Sequence, residues 1–97
     1  MLKLNDCLQK LSLFKASHAK EYGITRLGIF GSVARGENTE DSDIDIVVEV
    51  SSPSLTVMYQ LRESLSQLFG CNVDLIRYRK SLRPLVKSHI QRDAVYV

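Results

Sequence analysis

The chain has no tryptophan and few cysteines and prolines, with two of each among its 97 residues. Cys7 and Cys71 do not have the spacing of metal ligands. The simplest interpretation is a reduced, intracellular protein in which both thiols act as small hydrophobic residues of the core. This composition therefore disfavours a zinc site and a disulfide-stabilised scaffold.

Long apolar stretches and a strong charge of one sign are also missing. No window approaches the ~20 consecutive apolar residues of a membrane span. The first residues lack the apolar stretch of a signal peptide, so a cytoplasmic location is expected. A formal net charge of +2 is too small by itself to argue for nucleic-acid binding. Without repeats or linkers, the length predicts a single domain over residues 1–97.

Hydrophobic periodicity predicts the order helix, strand, short helix, strand, helix, strand, helix. The predicted elements are a helix over 4–21, a strand over 25–30, one or two helical turns over 32–35, a loop over 37–42, a strand over 44–50, a helix up to Gly70, a strand over 73–76, a helix from near Ser81 and a tail or short strand over 94–97. Asn5 or Asp6 is the predicted cap of the first helix. The helix before Gly70 is capped either by Ser54 or by Ser52 with Pro53 at the first helical position.

Two apolar stripes are predicted from helical spacing. One, on the helix before Gly70, comprises Leu55, Met58, Leu61, Leu65 and Leu68; the other, on the last helix, comprises Leu82, Leu85, Val86, His89 and Ile90. Each stripe is expected to pack on the sheet.

These elements predict an α/β (α+β) fold in which helices pack on a small mixed sheet. The second and third strands are joined through a helix, which favours a parallel, right-handed crossover. The first two strands are joined by a compact loop, which permits antiparallel pairing. The starts of the second and third strands then lie at the same end of the sheet, so Asp74 can approach Asp43 and Asp45.

The stretch that follows the first strand carries the residues on which a functional prediction depends. Strand side chains alternate, so Asp43 and Asp45 are predicted to share a face, where two carboxylates repel each other unless a cation lies between them. Oxygen ligands of this kind suit Mg²⁺ or Mn²⁺. Gly31 and Ser32 form a turn that offers backbone N–H groups and a hydroxyl to phosphate oxygens. The pattern therefore predicts a site for a metal-bound polyphosphate.

Three carboxylates beside such a turn match two-metal phosphoryl or nucleotidyl transfer, in which two divalent ions about 3.5–4 Å apart stabilise the attacking and leaving oxygens. Asp43 and Asp45 would ligate both ions. Asp74 would complete the ion nearest the acceptor hydroxyl and help to remove its proton. Ser32 would bind a terminal phosphate, and Gly31 would allow close approach of the backbone because it has no Cβ.

Several of these residues also have a purely structural alternative. An isolated Asp-x-Asp is common in proteins, and Asp74 can be a solvated acid at the edge of a strand. Arg35 can bind a phosphate, or it can pair with Glu37 or Glu40 instead.

The C-terminal part of the chain carries a basic segment, defined as residues 77–92. Its cations are Arg77, Arg79, Lys80, Arg83, Lys87 and Arg92. The default interpretation is a solvated face, and the alternative is a surface that binds a partner or steers a triphosphate. His18 and His89 lie on separate predicted helices, and neither is predicted to be catalytic.

The combined glycine-rich and acidic motif resembles the signature of the DNA polymerase beta-type nucleotidyltransferase superfamily and, more narrowly, of its minimal nucleotidyltransferase branch. The motif is Gly31-Ser-Val-Ala-Arg-Gly36 followed by Ser42-Asp-Ile-Asp-Ile46, with the third acid in Asn72-Val-Asp-Leu75. The resemblance implies Gly31 and Ser32 at the triphosphate of ATP, and Asp43, Asp45 and Asp74 as a metal-binding triad for two Mg²⁺ ions. Val33 stands where relatives often carry a bulkier or polar residue.

The same resemblance implies a role as the antitoxin half of a toxin–antitoxin pair. The implied partner is an all-helical nuclease of the HEPN type, and the implied reaction transfers AMP from ATP to a tyrosine of that nuclease. The short length leaves no room for an acceptor domain, so the acceptor is expected to be a separate protein in a hetero-oligomer. The alternative is a non-catalytic antitoxin that neutralises its partner by occlusion. Nucleic-acid end modification is disfavoured by the small net charge.

Overall fold

Four helices and four strands follow one another along the 97 residues, all of which the computed structural model describes. They are α1 (Leu4–Tyr22), β1 (Ile24–Phe30), α2 (Gly31–Arg35), β2 (Ile44–Val50), α3 (Leu55–Phe69), β3 (Val73–Arg77), α4 (Pro84–Asp93) and β4 (Val95–Tyr96). This confirms the predicted order of elements, and it shows that the C-terminal tail ends in a short strand.

The strands form one mixed sheet in the order β3-β2-β1-β4. β1 pairs antiparallel with β2 and with β4, whereas β2 and β3 are parallel. Both predicted pairings are therefore confirmed, and so is the α+β class. The starts of β2 and β3 lie at the same end of the sheet, next to the end of β1.

β2 is buried on both faces, which explains its nearly continuous apolar sequence. Ile44, Ile46 and Val48 pack with α1 and α3 in the main core, and Val47 faces a smaller cluster with Ile90 of α4. Burying one aliphatic side chain of this size contributes about 1.5–3 kcal/mol. The sheet is consequently covered by helices on both sides.

The start of α1 differs from the prediction. Its N-cap is Lys3, which makes no capping bond through its side chain, so the predicted caps Asn5 and Asp6 are wrong. Both residues lie within the first turn, because packing of Leu2 and Leu4 against the core begins the helix earlier. Hydrophobic contact, rather than a polar cap, decides where this helix begins.

α3 begins as one of the two alternatives predicted. The hydroxyl of Ser54 accepts a hydrogen bond from the backbone N–H of Val57 at 3.0 Å, and Pro53 lies outside the helix. The predicted stripe is wrong at Leu55, which is 92% exposed. At 3.6 residues per turn Leu55 lies about 120° around the helix from Leu61, so it points away from the core.

The last helix begins at Pro84 rather than near Ser81. Proline fits the first helical position because it needs no N–H partner there. Leu85 and His89, four residues apart on one side of α4, are exposed, so their predicted packing on the sheet is wrong. Ile90 is the buried residue of this helix.

Membrane insertion has no candidate among the helices. None of them combines the length and the apolar character that crossing a bilayer requires.

Candidate active site

Strand register brings two carboxylates side by side at one end of the sheet. Asp45 of β2 is directly paired with Asp74 of β3 in the parallel ladder. Neighbouring strands lie about 4.8 Å apart, and paired residues project to the same face. Asp45 is also paired with Phe30, the last residue of β1, so the turn after β1 lies next to the same carboxylate.

Gly31 is required at that turn for two separate reasons. Its φ of +75° lies in the left-handed region that side chains disfavour. A Cβ at this position would also clash with Oδ2 of Asp45. Close approach of the backbone was predicted for Gly31, and the group it approaches is the carboxylate of Asp45.

The Asp45 carboxyl lies in an environment that disfavours its charge. Burial, repulsion by Asp74, a hydrogen bond shared with Asp74 and repulsion by Asp43 together raise the pKa of Asp45 from 3.8 to about 6, against a smaller opposing effect of Arg35. Strongly shifted groups of this kind cluster at functional sites. A pair of carboxylates that repel each other is suited to a divalent cation, which relieves the repulsion.

One cavity collects most of the residues that the sequence singled out. It has a volume of about 400 Å³, and Gly31, Ser32, Arg35, Asp45 and Asp74 line it. The remaining lining residues are Phe30 and Ile76 from the sheet and Val86, His89, Arg92 and Asp93 from α4. Carboxylates, a hydroxyl and guanidinium groups therefore surround a space of ligand size.

Asp43 is the predicted site residue that lies outside this cavity. β2 begins at Ile44, so the alternation that predicted a shared face for Asp43 and Asp45 does not reach Asp43. Asp43 instead lines an adjoining cavity beside α3, and Asp74 lines both cavities. No three carboxylate, imidazole or thiolate side chains are arranged as a metal-ion site. The metal-binding triad therefore stays a prediction.

Arg35 adopts the structural pairing that was one of its two predicted roles, although Glu40 is not involved. Its Nε donates to Glu37 at 3.0 Å, and its Nη1 donates to Asp93 of α4 at 2.5 Å. The guanidinium nevertheless remains in the wall of the cavity. The two roles are thus compatible, because a guanidinium has five N–H donors.

Three residues of the cavity wall were not predicted from the sequence. His89 was placed in the core, and Asp93 was not singled out. Arg92 belonged to the basic segment, for which a solvated face was the default interpretation and a surface that binds a partner or steers a triphosphate was the alternative. Their spacing on α4 shows that they share a side of the helix. Which side of α4 faces the cavity depends on how the helix packs over the sheet, and that is a long-range property.

Known proteins resemble this chain both in sequence and in fold. The model of the nucleotidyltransferase domain family matches residues 11–97. The protein adenylyltransferase MntA of Thermococcus cleftensis is 38% identical over 98 residues, covering 100% of this chain and 98% of the relative. A solved structure provisionally described as a minimal nucleotidyltransferase superposes with a TM-score of 0.77 at 30% identity, covering 97% of this chain and 95% of its own.

A second solved structure is similar in fold alone. It is the complex of the tri-AMPylated Shewanella oneidensis HEPN toxin with its MNT antitoxin, with a TM-score of 0.60 at 18% identity. The match covers 88% of this chain and 69% of the matched chain.

Proposed function

The chain belongs to the nucleotidyltransferase domain family, and on that premise we propose that it transfers AMP from ATP to a hydroxyl of a separate protein. The proposed acceptor is a tyrosine of a HEPN-type toxin, which the modification silences, so that the chain acts as the antitoxin. Support comes from the Thermococcus relative, which is named a protein adenylyltransferase, and from the complex of an AMPylated HEPN toxin with an MNT antitoxin.

The observation that carries this proposal is the meeting of two carboxylates and a glycine–serine turn in one cavity. Asp45 and Asp74 are in register, and Gly31 approaches Asp45 more closely than any other residue type permits. Small-ligand sites measure about 300–1,000 Å³, so the cavity is large enough for the phosphate tail of a nucleotide.

Two Mg²⁺ ions are the metal complement that we propose. The candidate ligands Asp43, Asp45 and Asp74 offer only oxygen atoms, which Mg²⁺ prefers. The pKa of Asp45 is raised first by burial and then by repulsion from Asp74 and Asp43, and a bound cation would offset both effects, which supports this assignment. When bound, such ions stabilise negative charge on the transferred phosphoryl group.

The chain's own residues bind the nucleotide tail and take up the proton of the acceptor. The Ser32 hydroxyl and the Arg35 guanidinium donate hydrogen bonds to phosphate oxygens. Asp74 accepts the proton of the tyrosine hydroxyl while that oxygen forms a bond to the α-phosphorus. The bond from the α-phosphorus to the β-phosphate bridging oxygen breaks, and pyrophosphate leaves.

The direct test is transfer of label from ATP to a candidate partner. Wild-type protein is incubated with ATP labelled in the α-phosphate, Mg²⁺ and a candidate HEPN-type partner protein. We expect label on the partner with wild type and none with Asp43→Asn or Asp45→Asn. An unlabelled partner, or equal labelling by these variants, would overturn the proposal.

Occlusion of the partner is the second candidate, and one observation favours it. Leu55 and Tyr59 are exposed four residues apart on α3, so two large apolar side chains lie near each other on the outer side of the helix. The discriminating measurement is neutralisation of the partner by Asp45→Asn at equimolar dose. Retained neutralisation supports occlusion, whereas its loss with an intact complex supports AMP transfer.

The setting proposed for this activity is one domain, residues 1–97, in the cytoplasm. All strands belong to one sheet, which supports a single folding unit. Both cysteines are free thiols, which agrees with a reducing compartment.

A further inference from the structure

Asp93 lies between two arginines at the wall of the candidate active site. Its Oδ2 accepts hydrogen bonds from Nη1 of Arg35 at 2.5 Å and from Nη2 of Arg92 at 3.1 Å, and its Oδ1 accepts one from Nε of Arg92 at 2.8 Å. The Asp93 side chain is only 3% exposed, whereas those of Arg35 and Arg92 are 36% and 58% exposed. The carboxylate is therefore covered by two guanidinium groups that remain accessible.

Both guanidinium groups keep donors that no protein group uses. Arg35 donates through Nε to Glu37 and through Nη1 to Asp93, so its Nη2 is free. Arg92 donates through Nε and Nη2 to Asp93, so its Nη1 is free. Arg35, Arg92 and Asp93 line the same cavity as Ser32. Donors with fixed positions therefore lie beside the turn that was assigned to phosphate.

The charges of this cluster cancel, so its contribution is orientation rather than net charge. Two arginines are balanced by Asp93 and Glu37, and hydrogen bonds from both arginines lower the pKa of Asp93 to about 2. Without Asp93 the two guanidinium groups repel each other and regain side-chain freedom. Groups held in place before binding lose less entropy when a ligand arrives.

We propose that Asp93 is a positioning residue that holds Arg35 and Arg92 as a second anchor for the polyphosphate tail of the nucleotide. Guanidinium groups bind phosphate through paired N–H donors, so their orientation matters as much as their charge. This inference rests on the proposed function, because it concerns the nucleotide site of that reaction. It assigns to α4 a part in substrate binding that the glycine-rich and acidic motifs do not include.

The test measures binding of polyphosphate without requiring any transfer. A fluorescent ATP analogue is bound to the protein in the presence of Mg²⁺ and is displaced by inorganic tripolyphosphate or by AMP. We expect Asp93→Asn to weaken competition by tripolyphosphate about tenfold or more, which corresponds to about 1.4 kcal/mol. Competition by AMP should weaken much less, since a purely structural defect lowers the affinity for both competitors equally.

Glu37→Gln is the matched control, because it removes the other carboxylate that Arg35 contacts. This variant leaves the Asp93 bridge intact and should change competition less than twofold. Arg92→Gln serves if Asp93→Asn does not fold, because Arg92 is more than half exposed and its replacement removes one guanidinium only. It should weaken tripolyphosphate in the same selective manner.

The remaining outcomes either overturn this inference or distinguish it from the proposed function. Unchanged or tighter tripolyphosphate binding by Asp93→Asn or Arg92→Gln overturns the inference, and so does an equal loss in Glu37→Gln. Wild type that binds neither ATP nor tripolyphosphate overturns it as well. Selective weakening in a protein that never labels its partner supports the inference and contradicts the proposed AMP transfer.

Discussion

The two faces of the sheet differ in how completely they are covered. On the face of α1 and α3, 15 buried residues form a continuous core that includes Leu11 and Leu61. On the face of α4, the buried cluster has four residues, and the rest of that face opens into the cavity with Asp45 and Asp74. One face therefore supplies most of the hydrophobic stability, while the other leaves space for chemistry.

Asp45→Asn, on the face that opens into the cavity, should have the largest effect. It should lower transfer activity without lowering stability. Removing one charge of the carboxylate pair should reduce labelling of the partner on the order of 10³-fold, because the electrostatic stabilisation of the transition state is lost. The free energy of unfolding should not fall, since a repulsion is removed at the same time. Labelled-ATP transfer and thermal melts measure the two effects.

Asp41→Asn is the control for that experiment, because Asp41 is an exposed acid of the preceding loop. It should leave both transfer and melting unchanged. Equal loss of transfer in the two variants would indicate a general charge effect instead of a role for Asp45.

Leu61→Ala tests the face of the sheet that α1 and α3 cover, and it should lower the stability of the fold. Leu61 is fully buried in the main core, so the free energy of unfolding should drop by about 2–5 kcal/mol. Leu55→Ala on the same helix is the control, with a change within about 0.5 kcal/mol because Leu55 is exposed. Chemical denaturation monitored by circular dichroism gives both values, and similar losses would contradict the described orientation of α3.

Gly31→Ala and Gly36→Ala compare the two ends of α2, the short helix beside the cavity. Both glycines have positive φ, so each substitution should cost about 1–2 kcal/mol of stability. A Cβ at position 31 also meets the Asp45 carboxylate, whereas one at position 36 meets no atom within 4 Å. Gly31→Ala should therefore lose transfer activity as well, and Gly36→Ala should retain it.

The smallest expected effect is a dependence of stability on pH. The folded-state pKa of Asp45, about 6, lies above its ordinary value of 3.8. The ionised group therefore destabilises the fold, and the stability present below pH 3.8 is lost as the pH rises through 6. The melting temperature of wild type relative to Asp45→Asn should fall between pH 4 and pH 7 in Mg²⁺-free buffer. A difference that grows in the opposite direction would contradict the raised pKa.

Local sequence signals predicted the face of the sheet that α1 and α3 cover. They also predicted the part of the other face that carries Asp45 and Asp74. Apolar periodicity located the helices and strands, and Ser54 and Gly70 marked the two ends of α3. Strand connections then placed Asp74 beside Asp45, because a parallel crossover leaves the starts of both strands at the same edge. These inferences needed only neighbours in sequence and one rule of topology.

Local sequence signals did not predict which residues of α4 line the cavity. Whether His89 faces the core or the cavity depends on the crossing of α4 over the sheet, and periodicity alone permits either. The hydrogen bond from Arg35 to Asp93 joins residues 58 positions apart, and no local sequence pattern predicts it. Asp43 lies one residue before β2, so the shared face predicted for it and Asp45 stays a prediction.

The position of β3 as a terminal strand of the sheet has a consequence for reactant size. No further strand lies beyond Asp74, so a bulky acceptor can reach its exposed carboxylate from the rim of the sheet. Asp45, on an interior strand, is partly buried. The edge of the sheet thus leaves the Asp74 side of the carboxylate pair open, which on the proposed function is where a protein acceptor would approach.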